Sequence, residues 1–127
     1  MIMLEKGLKY TSSVVVDKAN CASAVGSGGL DVFATPSMVA LMENAAMNAV
    51  APYLPDGFTT VGSEINVTHT KPTGIGATVS ATAELLSVDG RKLVFKVIAH
   101  DGAGPIGEGT HVRFIVDVER FLSKLNK

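Results

Sequence analysis

The chain has 127 residues, of which 46% are apolar and 18% charged, and its 11 basic and 12 acidic side chains give a net charge of −1. This length fits one domain spanning residues 1–127, and the near-neutral balance argues against a nucleic-acid-binding protein. No apolar run reaches the ~18 residues that span a bilayer, and Met1–Gly7 shows no secretory signal. With Cys21 as the only cysteine, neither an intramolecular disulfide nor a cysteine-based zinc site is expected. The shortage of charged residues predicts that a subunit interface covers part of the surface. Taken together, these counts predict a cytoplasmic protein.

The first predicted element is a β-branched strand at residues 11–17. Residues 18–31 are small, polar and glycine-containing, which predicts a loop. A loop of this length in a small domain indicates a lid or a binding segment.

A helix is predicted next, over residues 36–51. Thr35 suits the N-cap, Pro36 suits the first helical position, and Pro52 disfavours continuation. The helix is apolar around most of its girth, which predicts a central and covered position. Its narrow polar stripe consists of Ser37, Asn44 and Asn48.

Four stretches with alternating apolar residues follow, at 58–70, 77–88, 91–101 and 110–118. Asp89-Gly90 predicts a two-residue hairpin, residues 102–109 a loop, and the tail 119–127 a helical turn. The first stretch places on one face Val61, Ser63, Ile65, Val67 and His69. This order predicts an α+β domain in which a curved antiparallel sheet of about five strands wraps around one long helix, as in the hotdog fold.

Three polar side chains depart from these patterns. Glu43 points about 120° away from the polar stripe, among apolar helix residues. It is either a functional carboxylate that loses solvation or a helix-surface residue that reaches water at a subunit edge. His69 ends an apolar strand face, either as a core histidine with a hydrogen-bond partner or, if it meets Glu43, as half of an acid–base pair.

Thr35, at the helix start, has an ordinary explanation as the N-cap. The free N–H groups and helix dipole there also favour a developing oxyanion. Eight residues separate Thr35 from Glu43, about 12 Å along the helix axis. The two residues are therefore expected to flank a substrate rather than to touch each other.

Other polar residues give weaker signals. His100 and His111, together with His69, fit no metal-binding motif, so no metal site is expected. Most isolated cations are expected to be solvated, but one or two are able to meet the phosphates of a nucleotide-tailed substrate. These cations are Lys71, Arg91, Lys92 and Arg113.

Three segments, DVFATPSMVALMENAA, VGSEINVTHTKPTGIGATV and AHDGAGPIGEGTHVRF, together resemble the hotdog thioesterases of the fluoroacetyl-CoA thioesterase family. The resemblance covers roughly residues 30–121, with the motifs in the same order and at matching spacing. It implies catalytic roles for Thr35, Glu43 and His69, and a backbone position for Gly62 beside the thioester carbonyl.

The resemblance also implies hydrolysis of a small acyl-CoA to the free acid and CoA, without a metal or an organic cofactor. Glu43 would attack the thioester or activate water, His69 would shuttle the proton, and Thr35 would orient the reacting groups. Lys71 and Arg113 are the cations assigned to the substrate. Family members are dimers whose sheets join edge to edge, so a homodimer is expected, with pairing into tetramers left open.

One segment departs from the family pattern. Residues 20–31, NCASAVGSGGLD, are small and glycine-rich, and Gly29 stands where the fluoroacetyl-specific enzyme has a lid phenylalanine. This difference argues against selectivity for fluoroacetyl-CoA and favours a short acyl group, with fluorinated and unfluorinated groups both left open.

Two other functions remain open. A hotdog hydratase would convert an enoyl-CoA to a 3-hydroxyacyl product, but the short hydratase motif is not found. A non-catalytic acyl-CoA-binding module would bind CoA esters without releasing a thiol.

Overall fold

The computed structural model describes residues 4–126. Its strands are β1 (Lys9–Val15), β2 (Phe58–His69), β3 (Thr78–Asp89), β4 (Lys92–Asp101) and β5 (Gly104–Asp117), and its helices are α1 (Ala22–Val25), α2 (Thr35–Val50) and α3 (Val118–Ser123). Short 3-10 turns lie at Lys18–Asn20, Ala51–Tyr53 and Lys124–Asn126. The first three residues of the predicted start segment and the last residue of the tail lie outside the described residues.

The five strands form one antiparallel sheet in the order β1-β3-β4-β5-β2. Helix α2 packs mainly against β1 and β3, and less against β2 and β4. The expected α+β architecture of a sheet around one long helix is therefore confirmed. The helix side of the core consists of Met38, Leu41, Met42, Ala45, Ala46, Ala49 and Val50.

The polar stripe of α2 bonds to the edge of the sheet. Ser12 of β1 donates to the Asn44 side chain over 2.7 Å, and Asn48 donates to Asn44 as well. Asn44 remains exposed in the single chain, so α2 is covered on one side only. The predicted central position holds for the apolar side of the helix.

The predicted loop at 102–109 is wrong, because β5 already begins at Gly104. Gly107 and Gly109 lie within the strand, where β2 approaches closely. A Cβ on Gly107 would lie 2.5 Å from the Thr68 carbonyl oxygen and 2.7 Å from the Met38 sulfur. These two glycines allow the strands to pack closely, although the glycine-rich composition of residues 102–109 is typical of a loop. The β3–β4 turn lies at residues 90–91, one position later than predicted.

A β-bulge interrupts the pairing of β2 with β5 between Gly62 and Glu64. Gly62 lies opposite the buried Arg113 and faces α2. Because side chains alternate along a strand, the extra residue reverses which positions face inward. The prediction that Val61 and Ser63 share the inner face of the later residues is therefore wrong.

The segment at 18–31 is more ordered than a loop. It contains a 3-10 turn, which Asp17 caps, and the short helix α1, which ends at Gly26 with a left-handed φ of 79°. Cys21 is fully buried in the core and anchors the segment. Gly28 and Gly29 lie within a longer exposed stretch, residues 23–31.

Candidate active site

Thr35 and His69 meet where the start of α2 lies beside the end of β2. The Thr35 hydroxyl and His69 Nδ1 are 2.8 Å apart and share a hydrogen bond. The N-cap residue of α2 is Ala34, and no side chain caps this helix end. The prediction of Thr35 as N-cap is therefore wrong, because its hydroxyl binds the imidazole instead of the helix backbone.

A cavity of about 270 Å³ opens beside this pair. Thr35, His69 and Lys71 line one part of it, and residues from the 22–33 segment line another. The segment predicted as a lid thus borders the same space as two of the predicted catalytic residues. Lys71 is exposed at this cavity.

The imidazole of His69 is neutral, as a proton acceptor requires. Burial lowers the pKa of its imidazole below the ordinary value of 6.5, although the Lys71 backbone opposes this shift. The ring is therefore neutral near pH 7. Its Nε2 atom is buried and has no hydrogen-bond partner within residues 4–126.

Glu43 lies in a second cluster, around Gly62. Its Oε2 is 3.6 Å from Arg113 Nη1, and its side chain is 41% exposed, whereas that of Arg113 is 7% exposed. A Cβ on Gly62 would lie 2.6 Å from the same Oε2, so the carboxylate occupies space that only a glycine leaves free. The predicted loss of solvation is consequently partial.

The contact proposed between Glu43 and His69 is not formed in the described chain. His69 bonds to Thr35, and Glu43 pairs with Arg113. Of the three predicted catalytic residues, Thr35 and His69 therefore form a pair, and Glu43 lies apart from them. This agrees with the expectation that Thr35 and Glu43 do not touch.

Arg113 is held by several partners beneath Glu43. Its Nε donates to the Thr60 hydroxyl and its Nη2 to the Thr60 carbonyl, both over 2.8 Å. Its Nη1 lies 3.3 Å from His111 Nε2. Burial lowers the pKa of the guanidinium, and Glu43 opposes that shift. Arg113 was predicted as a phosphate-binding cation, but it lies in this interior network next to Glu43.

His111 is the residue that the sequence did not assign to the site. It is 1% exposed and precedes Arg113 by two residues, the spacing of one strand face. The alternation of residues 111–116 carried the signal, because the buried face is His111, Arg113 and Ile115. The opposite face, with Val112, Phe114 and Val116, is more apolar and looked like the core face.

Two further observations concern other kinds of site. Within residues 4–126, no group of three His, Cys, Asp or Glu side chains is arranged to hold a metal ion. No helix in that range has the length and apolar character needed to cross a membrane.

Comparison with known proteins gives the family. Residues 16–119 match the model of the fluoroacetyl-CoA-specific thioesterase family. The chain belongs to this family. A fluoroacetyl-CoA thioesterase from Streptantibioticus cattleyicolor is 50% identical over 97 residues, which cover 76% of this chain and 70% of that protein. The resemblance found in the sequence is thus confirmed, and with it the class of thioester hydrolase.

Solved structures give the same result for the fold. A structure of the fluoroacetyl-CoA thioesterase has a TM-score of 0.91 at 41% identity, covering 98% of this chain and 96% of that one. A hot-dog-like protein from Thermanaerovibrio acidaminovorans has a TM-score of 0.86 at 23% identity, covering 94% and 89% of the two chains. The second likeness concerns the fold alone, and it confirms the hotdog prediction.

Proposed function

We propose that this chain hydrolyses the thioester of a small acyl-CoA, releasing the free acid and CoA. The observation that carries the proposal is the 2.8 Å hydrogen bond between Thr35 and a neutral His69 at a cavity, in a member of a thioesterase family. A variant of the family enzyme has been solved with fluoroacetate and CoA. Those ligands are the two halves of a thioester substrate.

His69 acts as the proton carrier in this mechanism. Its neutral ring accepts the proton of the attacking water and later returns a proton to the leaving thiolate. Thr35 bonds the ring at Nδ1, so the buried Nε2, which has no partner within residues 4–126, is the nitrogen left to exchange the proton. In direct hydrolysis Glu43 accepts a hydrogen bond from the water that attacks the carbonyl carbon while His69 takes its proton. In the covalent route Glu43 attacks the carbonyl carbon, the C–S bond breaks to release the thiolate and leave an anhydride, and His69 passes the proton of the water that hydrolyses the anhydride to that thiolate.

Arg113 and Gly62 prepare Glu43 for this step. The buried guanidinium lies on one side of the carboxylate, and Gly62 leaves the space in which the carboxylate rests. Gly62 also offers its backbone to the thioester carbonyl, as in the family pattern. Lys71 remains the best cation for a CoA phosphate because it is exposed at the cavity with Thr35 and His69.

A cytoplasmic homodimer completes the site. The free edges of the sheet are β1 and β2, and β2 is the longer, with 12 residues. A long free edge favours pairing with another strand. If two β2 strands pair antiparallel around a two-fold axis, the Gly62 end of one lies beside the His69 end of the other. Glu43 of one protomer then faces the Thr35–His69 pair of its partner.

The segment beside the cavity supports a short acyl group that need not carry fluorine. Gly29 is exposed, and a Cβ built on it would have no atom within 4 Å. The position of the lid phenylalanine is thus empty space in this chain. Selectivity for fluoroacetyl over other small acyl groups is therefore expected to be weak.

The test is thiol release from a panel of acyl-CoAs, followed with a thiol-reactive dye. The panel includes acetyl-, fluoroacetyl-, butyryl-, benzoyl- and long-chain esters. We expect release from the small esters, with similar rates for acetyl- and fluoroacetyl-CoA. Saturable binding without release would support the binding module, and a 3-hydroxyacyl product from an enoyl-CoA would support the hydratase.

A further inference from the structure

His111 lies behind Arg113 and bonds at both of its ring nitrogens. Its Nδ1 is 2.8 Å from the Glu64 carbonyl oxygen, which only accepts, so Nδ1 carries the proton and donates. Its Nε2 is 3.3 Å from Arg113 Nη1, which only donates, so Nε2 accepts. These contacts define one neutral tautomer.

The surroundings of the ring keep that state. Burial lowers the pKa of His111, the bond to Glu64 opposes this, the Arg113 charge lowers it further, and Glu43 opposes that. Phe95 packs beside the ring with its centroid 6.2 Å away. A protonated His111 would lose the lone pair that binds Arg113 and would place two positive charges together.

The bond at Nε2 adds a third contact to the guanidinium of Arg113. Thr60 holds the Nε and Nη2 edge of the guanidinium, and His111 holds Nη1. Nη1 carries two protons, so it donates to His111 with one and keeps another for the side of Glu43, whose Oε2 is 3.6 Å away. Without an acceptor at the His111 position, Nη1 has no fixed partner opposite the carboxylate.

The bond at Nδ1 has a separate effect on the bulge of β2. Glu64 is the first paired residue after the bulge that turns Gly62 toward Glu43. His111 therefore contacts both the backbone that makes room for the carboxylate and the guanidinium that pairs with it. Its Cε1 would lie 3.2 Å from a Cβ on Gly62, which places the ring directly beside that space.

We propose that His111 is a positioning residue for Glu43. The unprotonated Nε2 of His111 orients Arg113, and Arg113 in turn holds the Glu43 carboxylate. This rests on the proposed thioesterase function, in which Glu43 is catalytic. His111 itself does not touch the substrate.

Two variants separate the two bonds of His111. His111→Asn places an amide nitrogen at the bond distance of Nδ1 and keeps the Glu64 contact, but it has no group in place of Nε2. His111→Gln places its terminal oxygen at the bond distance of Nε2 and keeps the Arg113 contact. We expect His111→Asn to lower kcat about 10- to 100-fold with KM nearly unchanged, and His111→Gln to retain most of kcat.

A double-mutant cycle with Arg113→Met tests whether the effect passes through Arg113. We expect His111→Asn to cause no further loss of kcat in the Arg113→Met background. Independent losses that multiply, or a His111→Asn enzyme with normal kcat, would overturn the proposal while the thioesterase function stands. An unaltered protein that releases no thiol would overturn both.

Imidazole ¹⁵N chemical shifts of the unaltered protein give a second measurement, which applies even if His111→Asn does not fold. We expect His111 to be protonated at Nδ1 alone and neutral above pH 7, with an Nε2 shift that changes in Arg113→Met. A His111 protonated at Nε2, or on both nitrogens in that pH range, would overturn the proposal.

Discussion

His69 accepts a proton only while its imidazole is neutral, which makes turnover depend on pH. Burial lowers the pKa of His69 below 6.5, so the folded protein holds this proton less readily than the unfolded chain does. We expect kcat to be constant near pH 7 and to fall as the pH drops through the folded pKa, below 6.5. A pH–rate profile with saturating acyl-CoA measures this.

The contribution of His69 to stability has the same sign. It is fully present above the unfolded pKa of about 6.5 and is lost as the pH falls toward the lower folded value.

His100→Gln is a matched control for the pH–rate profile because His100 is exposed on β4. This variant should leave the pH–rate profile unchanged. A limb of activity that titrates above pH 7 would argue against His69 as the base.

Gly62 and Gly109 allow activity and stability to be separated. In Gly62→Ala the new Cβ meets the end of the flexible Glu43 side chain, which is able to move, and it lies 3.2 Å from His111 Cε1 and 3.3 Å from Arg113 Nη1, which need to shift only by a few tenths of an ångström. We expect kcat to fall about 10-fold or more while the free energy of unfolding changes by less than about 1 kcal/mol. Kinetics and thermal unfolding measure the two effects.

Gly109→Ala is the comparison variant on the neighbouring strand. Its Cβ would meet the backbone of Asn66 and Val67 in β2, which has no such freedom. We expect a loss of about 1–3 kcal/mol of stability. Normal turnover in Gly62→Ala, with the stability loss confined to Gly109→Ala, would remove Gly62 from the mechanism.

At the scale of elements, the segment from Cys21 to Phe33 is the part of the chain to which the proposal assigns selection of the acyl group. Gly29→Phe should fold normally because a Cβ on Gly29 would meet no atom within 4 Å and the residue is exposed. The added ring should reduce kcat/KM for butyryl-CoA at least about 10-fold relative to acetyl-CoA. Competition between the two esters measures the ratio, and Gly29→Ala is the control. An unchanged ratio would show that this segment does not limit the acyl group.

The sequence predicted the helix and all five strands because their hydrophobic patterns are long and their turns carry glycine or proline. The sequence-based predictions were wrong where a single residue changes the direction of side chains or the start of a strand. The bulge at Ser63 reverses the inner face of β2, and no pattern of alternation contains that extra residue. The loop predicted at 102–109 was wrong because Gly107 and Gly109 serve close strand contact.

The same reasoning explains the candidate site. Thr35, Glu43 and His69 were found as polar exceptions to apolar patterns, and the structure gives each a specific partner. His111 was missed, and Arg113 was taken for a phosphate-binding cation, because both lie on a strand whose other face is apolar. A buried polar face on β5 makes sense only after Glu43 and Gly62 are known to lie opposite it.

At the scale of the whole molecule, the separation of Glu43 from the Thr35–His69 pair makes the proposed dimer testable. Glu43→Gln and His69→Ala homodimers should each be inactive. Mixed dimers of the two variants would contain one site with both residues intact. Random reassortment of equal amounts should therefore restore about a quarter of the unaltered activity. Isolation of doubly tagged mixed dimers measures this directly, and inactive mixed dimers would show that each site lies within one chain.

The most direct test of the central claim is thiol release by the Glu43→Gln variant. The amide has the size and shape of the carboxylate but lacks its charge, so the change removes nucleophile and base while leaving packing intact. Small acyl-CoAs should be hydrolysed by the unaltered protein and at least about 100-fold more slowly by Glu43→Gln. The thermal midpoint and the oligomeric state should be retained. Turnover at the unaltered rate by folded Glu43→Gln would contradict the account.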